Sequence, residues 1–185
     1  MIPINNHHNE EQVIRFYLNF LPPVYFAEDG SYHWRRNYIR TANLNSKTVA
    51  RSILDIGSGT KTPYRGNLRK RTLEYAALDI RPGANVNYVA DVCDLNIFSD
   101  KQWHWGWCAE TIEHVSPELK ENAAKEIMRV CENAVFTYPT PVHKTFYGDP
   151  GHTEVLIDWK AVFSSHKVFI YTAKSGRVIV IIKSS

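Results

Sequence analysis

Three cysteines in 185 residues are too few for a disulfide framework, and Cys93, Cys108 and Cys131 lie too far apart to form a CxxC pair. A zinc knuckle and a dithiol redox centre are therefore excluded as organising elements, and the thiols fit a reducing compartment. Excess charge is also scarce. Lys and Arg number 22 against 19 Asp and Glu, leaving +3, which is too little to imply a nucleic-acid partner through bulk electrostatics. Long apolar runs are missing: the longest, Val178 to Ile182, is far below the roughly 20 residues of a membrane span. Met1 to His8 shows no basic-then-apolar leader pattern, so a cytoplasmic chain with no membrane partner is expected. No internal repeat, low-complexity tract or linker interrupts the sequence, and residues 1–185 are expected to form a single domain.

Apolar residues make up 44% of the chain, enough for a sizeable core, and their spacing changes along it. Val13, Ile14, Tyr17, Leu18 and Leu21 share one helical face that Pro22-Pro23 ends. From Ser52 the pattern shortens to strands: SILDI (52–56), LEYAALDI (73–80), NVNYVAD (85–91), WHWGWCAE (103–110) and NAVFTYP (133–139). Residues 64–71 read as a short basic helix. Ser116-Pro117-Glu118 predicts a capped helix start, followed by a Leu119, Ala123, Ile127, Val130 stripe and a Glu121–Lys125 pair. Residues 153–165 also read as helical, and 168–173 with 177–183 as a hairpin around Lys174-Ser175-Gly176. Strands alternating with helices predict an α/β fold with a mostly parallel sheet covered on both faces; the hairpin adds an antiparallel strand.

In such a sheet, ligands bind beyond the carboxyl ends of the strands. The first predicted strand ends in Asp55-Ile56-Gly57-Ser58-Gly59, the second in Asp79, the third in Asp91-Val92 and the fourth in Glu110, with Glu113-His114 just after. Glycines admit close backbone approach. A carboxylate at the second strand end can accept bonds from vicinal hydroxyls, while Asp91 and the Val92 amide can face a purine edge. Together these define a nucleoside pocket. Phosphate is disfavoured because Lys61 and Pro63 stand where a dinucleotide fingerprint needs a glycine and backbone donors. Acids at the strand ends repel a pyrophosphate and tolerate a sulfonium.

These segments resemble the class I S-adenosylmethionine-dependent methyltransferases, in particular a small, type 11-like subgroup. ILDIGSGT (53–60) resembles the first motif of that family, with Lys61 in place of its last glycine. LDIRPGANVNYVADVCDL (78–95) is similar to the second and third motifs, and CAETIEHVSPE (108–118) and KEIMRVCENAVFTYPTP (125–141) are similar to the stretches around the fourth and fifth strands. The resemblance implies a Rossmann-like, doubly wound, seven-stranded sheet with a reversed last strand. It implies S-adenosylmethionine as cofactor and S-adenosylhomocysteine as product. Gly57 and Gly59 would approach the methionine part with Asp55 nearby, Asp79 would bind ribose, Asp91 and Val92 adenine, and Glu110 would lie beside the methionine moiety.

Residues 51–185 would then be a cofactor-binding core, and 1–50 a helical segment on the substrate side. The chain has no inserted substrate domain, so the N-terminal segment and the 139–153 loop would select a small or medium-sized acceptor. The basic run Arg65, Arg69, Lys70, Arg71 reads as a solvated helix face, with nucleic-acid contact the less supported alternative. His114, His152 and Tyr138 stand near enough to the strand ends to serve a proton transfer, but none is singled out as catalytic. His114, His143 and His152 lack an acid-supported spacing such as HExxH, so no metal is expected. The alternative to an enzyme is a non-catalytic binding or structural protein on the same fold.

Overall fold

The apolar segments and the terminal hairpin meet in one seven-stranded sheet. The computed structural model describes residues 50–59, 72–143, 146–172 and 176–185. The helices predicted over 9–21 and 64–71, the Lys61 position and Lys174-Ser175 lie outside the described residues. The strands are β1 (Ala50–Ile56), β2 (Thr72–Asp79), β3 (Tyr88–Val89), β4 (Trp103–Ala109), β5 (Cys131–Pro139), β6 (Lys167–Thr172) and β7 (Arg177–Lys183). Their order is β3-β2-β1-β4-β5-β7-β6. All neighbouring pairs from β3 to β5 are parallel, while β7 runs antiparallel to both β5 and β6.

Position in the sheet follows from side-chain pattern. Val178 to Ile182 has no polar member and needs apolar cover on both faces. It gets this as an interior strand, with Val180 opposite Phe136 on one side and Ile170 on the other. Ile53, Leu54 and Ile56 of central β1 are likewise buried, whereas Tyr88 and Val89 of edge strand β3 are exposed. Helix α1 (Lys120–Val130) lays Ala123, Ala124, Ile127, Met128 and Val130 on the sheet, and the predicted Glu121–Lys125 pair forms at 2.6 Å. The short helix α2 (Trp159–Val162) is capped by Asp158, which accepts from the Ala161 amide at 3.1 Å. No described helix is long and apolar enough to cross a membrane.

Three local expectations differ from the structure. The third strand shrinks from 85–91 to two residues because the Asn87 side chain takes the place of backbone: its Oδ1 accepts from the Ala77 amide at 3.0 Å. The Ser116 hydroxyl caps nothing. A 3-10 turn, Pro117–Leu119, precedes α1, so Leu119 leaves the buried stripe and is 42% exposed. Residues 153–158 are not helical. The Thr153 amide donates to the Glu113 carbonyl at 2.9 Å, and Val155 and Ile157 pack on the core while Leu156 points out. That alternation is the period of an extended chain.

Candidate functional site

The carboxyl ends of β1, β2 and β4 surround a cavity of about 720 Å³. Two glycines open its floor. Gly57 and Gly59 both have φ of +67°, the left-handed region that glycine enters freely. An added Cβ at Gly57 would lie 2.1 Å from Thr111 Oγ1, so the β1 turn and the chain leaving β4 interlock there. At Gly59 an added Cβ would meet nothing within 4 Å, leaving space for a ligand against the backbone.

Asp79, at the end of β2, is buried and shaped by this turn. Its Oδ2 accepts from the Gly59 amide at 2.8 Å and its Oδ1 from the Arg81 amide at 2.9 Å. A carboxylate has about four lone-pair sites, so it can accept further donors from the cavity. At the end of β3, Asp91 Oδ1 accepts from the Cys93 amide at 2.9 Å. Burial, followed by the Asp91 carboxylate, pushes the Cys93 thiol up to about 11.

Glu110 leaves β4 with φ of +53°. A non-glycine residue held there costs about 1–3 kcal/mol, and such strain concentrates at functional sites. Three contacts hold it: its amide donates to the Thr137 carbonyl at 2.9 Å, Thr137 Oγ1 donates to its Oε1 at 3.2 Å, and the buried Arg177 guanidinium pairs with Oε2. The 3-10 turn Ile112–His114 follows. Lys120, 2% exposed, donates from Nζ to the Ile112 and Val115 carbonyls, both at 2.7 Å. Thr153 bonds the Glu113 carbonyl through both its amide and its hydroxyl. The turn is thus clamped from two sides.

The clamp holds Glu113 fully buried at 0% exposure, with no hydrogen-bond partner for either carboxylate oxygen among the described residues. Burial, with Glu110 nearby, pushes its carboxyl up to about 8. His114 beside it lines the cavity. Burial and the adjacent His152 hold His114 below the ordinary histidine value.

No family model and no curated protein matches the sequence. Solved structures do match in three dimensions. A SAM-dependent methyltransferase from Archaeoglobus fulgidus superposes with a TM-score of 0.59 at 18% identity, covering 80% of this chain and 90% of that one. The N-methyltransferase NodS from Bradyrhizobium japonicum, solved with S-adenosyl-L-homocysteine, gives 0.55 at 10% identity, covering 75% and 80%. A small RNA methyltransferase gives 0.55 at 13% identity, covering 75% of this chain and 24% of that one. The chain has the class I methyltransferase fold.

On this methyltransferase fold, six of the seven residues expected from sequence line the cavity: Gly57, Gly59, Asp79, Asp91, Val92 and Glu110. Asp55 does not. It is buried behind the wall, where the Tyr75 hydroxyl donates to its Oδ2 at 2.5 Å. Tyr138 also turns away, accepting from Trp159 Nε1 at 3.0 Å within the core. His143 is buried apart from the His114–His152 pair, its amide donating to the Thr140 carbonyl. Residues with no site role expected from sequence complete the wall, among them Arg81, Thr111 and Asp149, together with Leu119, which was expected in the buried helix stripe. Arg81 was legible as the neighbour of Asp79. Asp149 lies in a loop with no periodicity and carried no signal.

Proposed function

We propose that the protein is an S-adenosylmethionine-dependent methyltransferase acting on a small or medium-sized acceptor. The observation that carries the reading is Asp79, buried at the end of β2, oriented by the Gly59 and Arg81 amides and facing a cavity that Gly59 leaves open. The charge of the wall supports it: among the described residues that line it, four carboxylates, Asp79, Asp91, Glu110 and Asp149, stand with one guanidinium, Arg81, while Glu110 also pairs with the buried Arg177. This wall suits a ligand bearing a positive sulfur and opposes a pyrophosphate.

The residues present fit the cofactor. When bound, S-adenosylmethionine supplies an electrophilic methyl on a sulfonium. Asp79 would accept from ribose hydroxyls, Asp91 and the Val92 amide would meet the adenine edge, and Gly57 and Gly59 would let the backbone approach the methionine part. Acceleration by such a site comes mainly from proximity and alignment of the acceptor. A base is needed only for an acceptor that must lose a proton. Neighbours on the same fold include an N-methyltransferase and an RNA methyltransferase.

Thermal denaturation with S-adenosylmethionine, S-adenosylhomocysteine and NAD tests the reading. Ligand at one hundred times its Kd adds about 2.7 kcal/mol, or roughly 5–11 °C for a chain this long. Both adenosyl compounds should raise Tm and NAD should not. A shift with NAD alone would point to a nucleotide oxidoreductase instead.

A further inference from the structure

Glu113 poses a problem that the cofactor reading does not solve. Its side chain is fully buried and neither carboxylate oxygen has a hydrogen-bond partner among the described residues. A buried carboxylate without a partner is costly, and such groups are ordinarily paired or coordinate a metal. Lys120, the nearest buried cation along the chain, is committed to two carbonyls instead. What does stand beside Glu113 is a pair of imidazoles. His114 follows it in the 3-10 turn, and His152 arrives from the loop after β5 with its ring centroid 4.6 Å from that of His114. One ligand atom from each of Glu113, His114 and His152 can be chosen so that all three lie within 4.8 Å of one another.

The surroundings prepare these atoms for coordination. His152 Nδ1 lies 3.0 Å from the Phe146 carbonyl. A carbonyl can only accept, so Nδ1 donates to it, and in the neutral ring Nε2 is then the nitrogen with a lone pair to offer a metal. The same outer contact orients metal-ligating histidines generally. The backbone beneath Glu113 and His114 is fixed by Lys120 and Thr153, so the ligands need no large rearrangement to converge.

We propose that Glu113, His114 and His152 form a binding site for a divalent first-row transition cation at the rim of the cavity. Two imidazoles and one carboxylate suit Zn²⁺, Mn²⁺, Fe²⁺ or Co²⁺, and leave coordination positions open. Since His114 and Asp149 line the cavity, the open positions are within reach of a molecule bound there. Sequence spacing concealed the site because the second histidine lies 38 residues after the first, and the carboxylate adjoins the first histidine instead of sitting within an HExxH helix.

The test uses the purified full chain, stripped with a chelator and dialysed, then titrated with Co²⁺ and Zn²⁺. Bound metal is read by equilibrium dialysis and by visible absorption of the Co²⁺ form, without reference to catalysis or to the adenosyl cofactor. The proposal expects one equivalent per chain, a Co²⁺ spectrum displaced by Zn²⁺, and a Kd raised at least about tenfold in each of Glu113→Gln and His152→Ala. Circular dichroism of the stripped variants verifies the fold, and His152→Ala serves if Glu113→Gln does not fold. Absence of stoichiometric binding, or binding with wild-type affinity in a folded variant, would overturn it.

Discussion

Substituting alanine for each of the two cavity glycines separates backbone strain from collision. Both residues have φ of +67°, so either alanine pays about 1–2 kcal/mol for the left-handed conformation. Only Gly57 also meets a neighbour: its added Cβ would lie 2.1 Å from Thr111 Oγ1 and 2.4 Å from Thr111 Cγ2. Thr111 has limited room to retreat, because its hydroxyl is within 3.2 Å of the Ile56 carbonyl and 3.1 Å of the Ala109 carbonyl. Overpacking of this kind adds about 1–3 kcal/mol, bringing Gly57→Ala to about 2–5 kcal/mol. At roughly 2–4 °C per kcal/mol, Tm falls by about 4–20 °C for Gly57→Ala and by about 2–8 °C for Gly59→Ala. Denaturant titration with matched m-values is the assay. Adding Thr111→Ala should recover part of the collision component in the Gly57 variant, the Cβ of residue 111 at 2.8 Å remaining in the way, and nothing in the Gly59 variant. Equal losses in the two single variants, with no coupling to Thr111, would refute the interlock between the β1 turn and the end of β4.

Cys93 offers a chemical probe of the cavity. With its thiol near 11, only about 1% is thiolate at pH 9, so alkylation should be slow there, steepen towards pH 11 and quicken in Asp91→Asn; a rate equal to that of a free cysteine peptide would contradict the assignment. Lys120 gives a pH signature in stability. Burial lowers its pKa from 10.5 to about 8, so between these values the unfolded chain holds a proton that the folded chain has released, and this group's contribution to stability rises with pH. The difference in unfolding free energy between wild type and Lys120→Met should therefore change between about pH 8 and 10.5 in favour of wild type. A pH-independent difference would rule out the buried ammonium. The same variant removes one of two donors from each of the Ile112 and Val115 carbonyls, which keep the Val115 amide and the Thr153 hydroxyl at 3.3 Å, so below pH 8 it tests whether the Lys120 contacts outweigh the cost of burying the charge.

The sheet was legible because each strand is short, apolar and bounded by polar or glycine-containing turns, and because an interior antiparallel strand needs an unbroken apolar run such as Val178 to Ile182. The site was legible where chemistry sits at strand ends, as with Gly59, Asp79 and Asp91. It was less legible where tertiary contacts decide. Asp55 looked like part of the pocket from its place one turn before the glycines, yet strand alternation and the Tyr75 hydroxyl turn it into the sheet. The 153–158 segment contains enough apolar residues for a helix, but Thr153 commits its amide and hydroxyl to the Glu113 carbonyl and the chain stays extended. The meeting of Glu113 and His114 with His152 depends on a loop closure that no local pattern encodes.

If Asp79 anchors an adenosyl cofactor in this cavity, isothermal titration of the wild type and Asp79→Asn with S-adenosylmethionine and S-adenosylhomocysteine will show it. The wild type should bind one equivalent. In Asp79→Asn, loss of charge-assisted bonds of about 1.5–3 kcal/mol should weaken binding by about 10–150-fold. A wild-type chain that binds neither compound, or an Asp79→Asn variant that binds both unchanged, would contradict it.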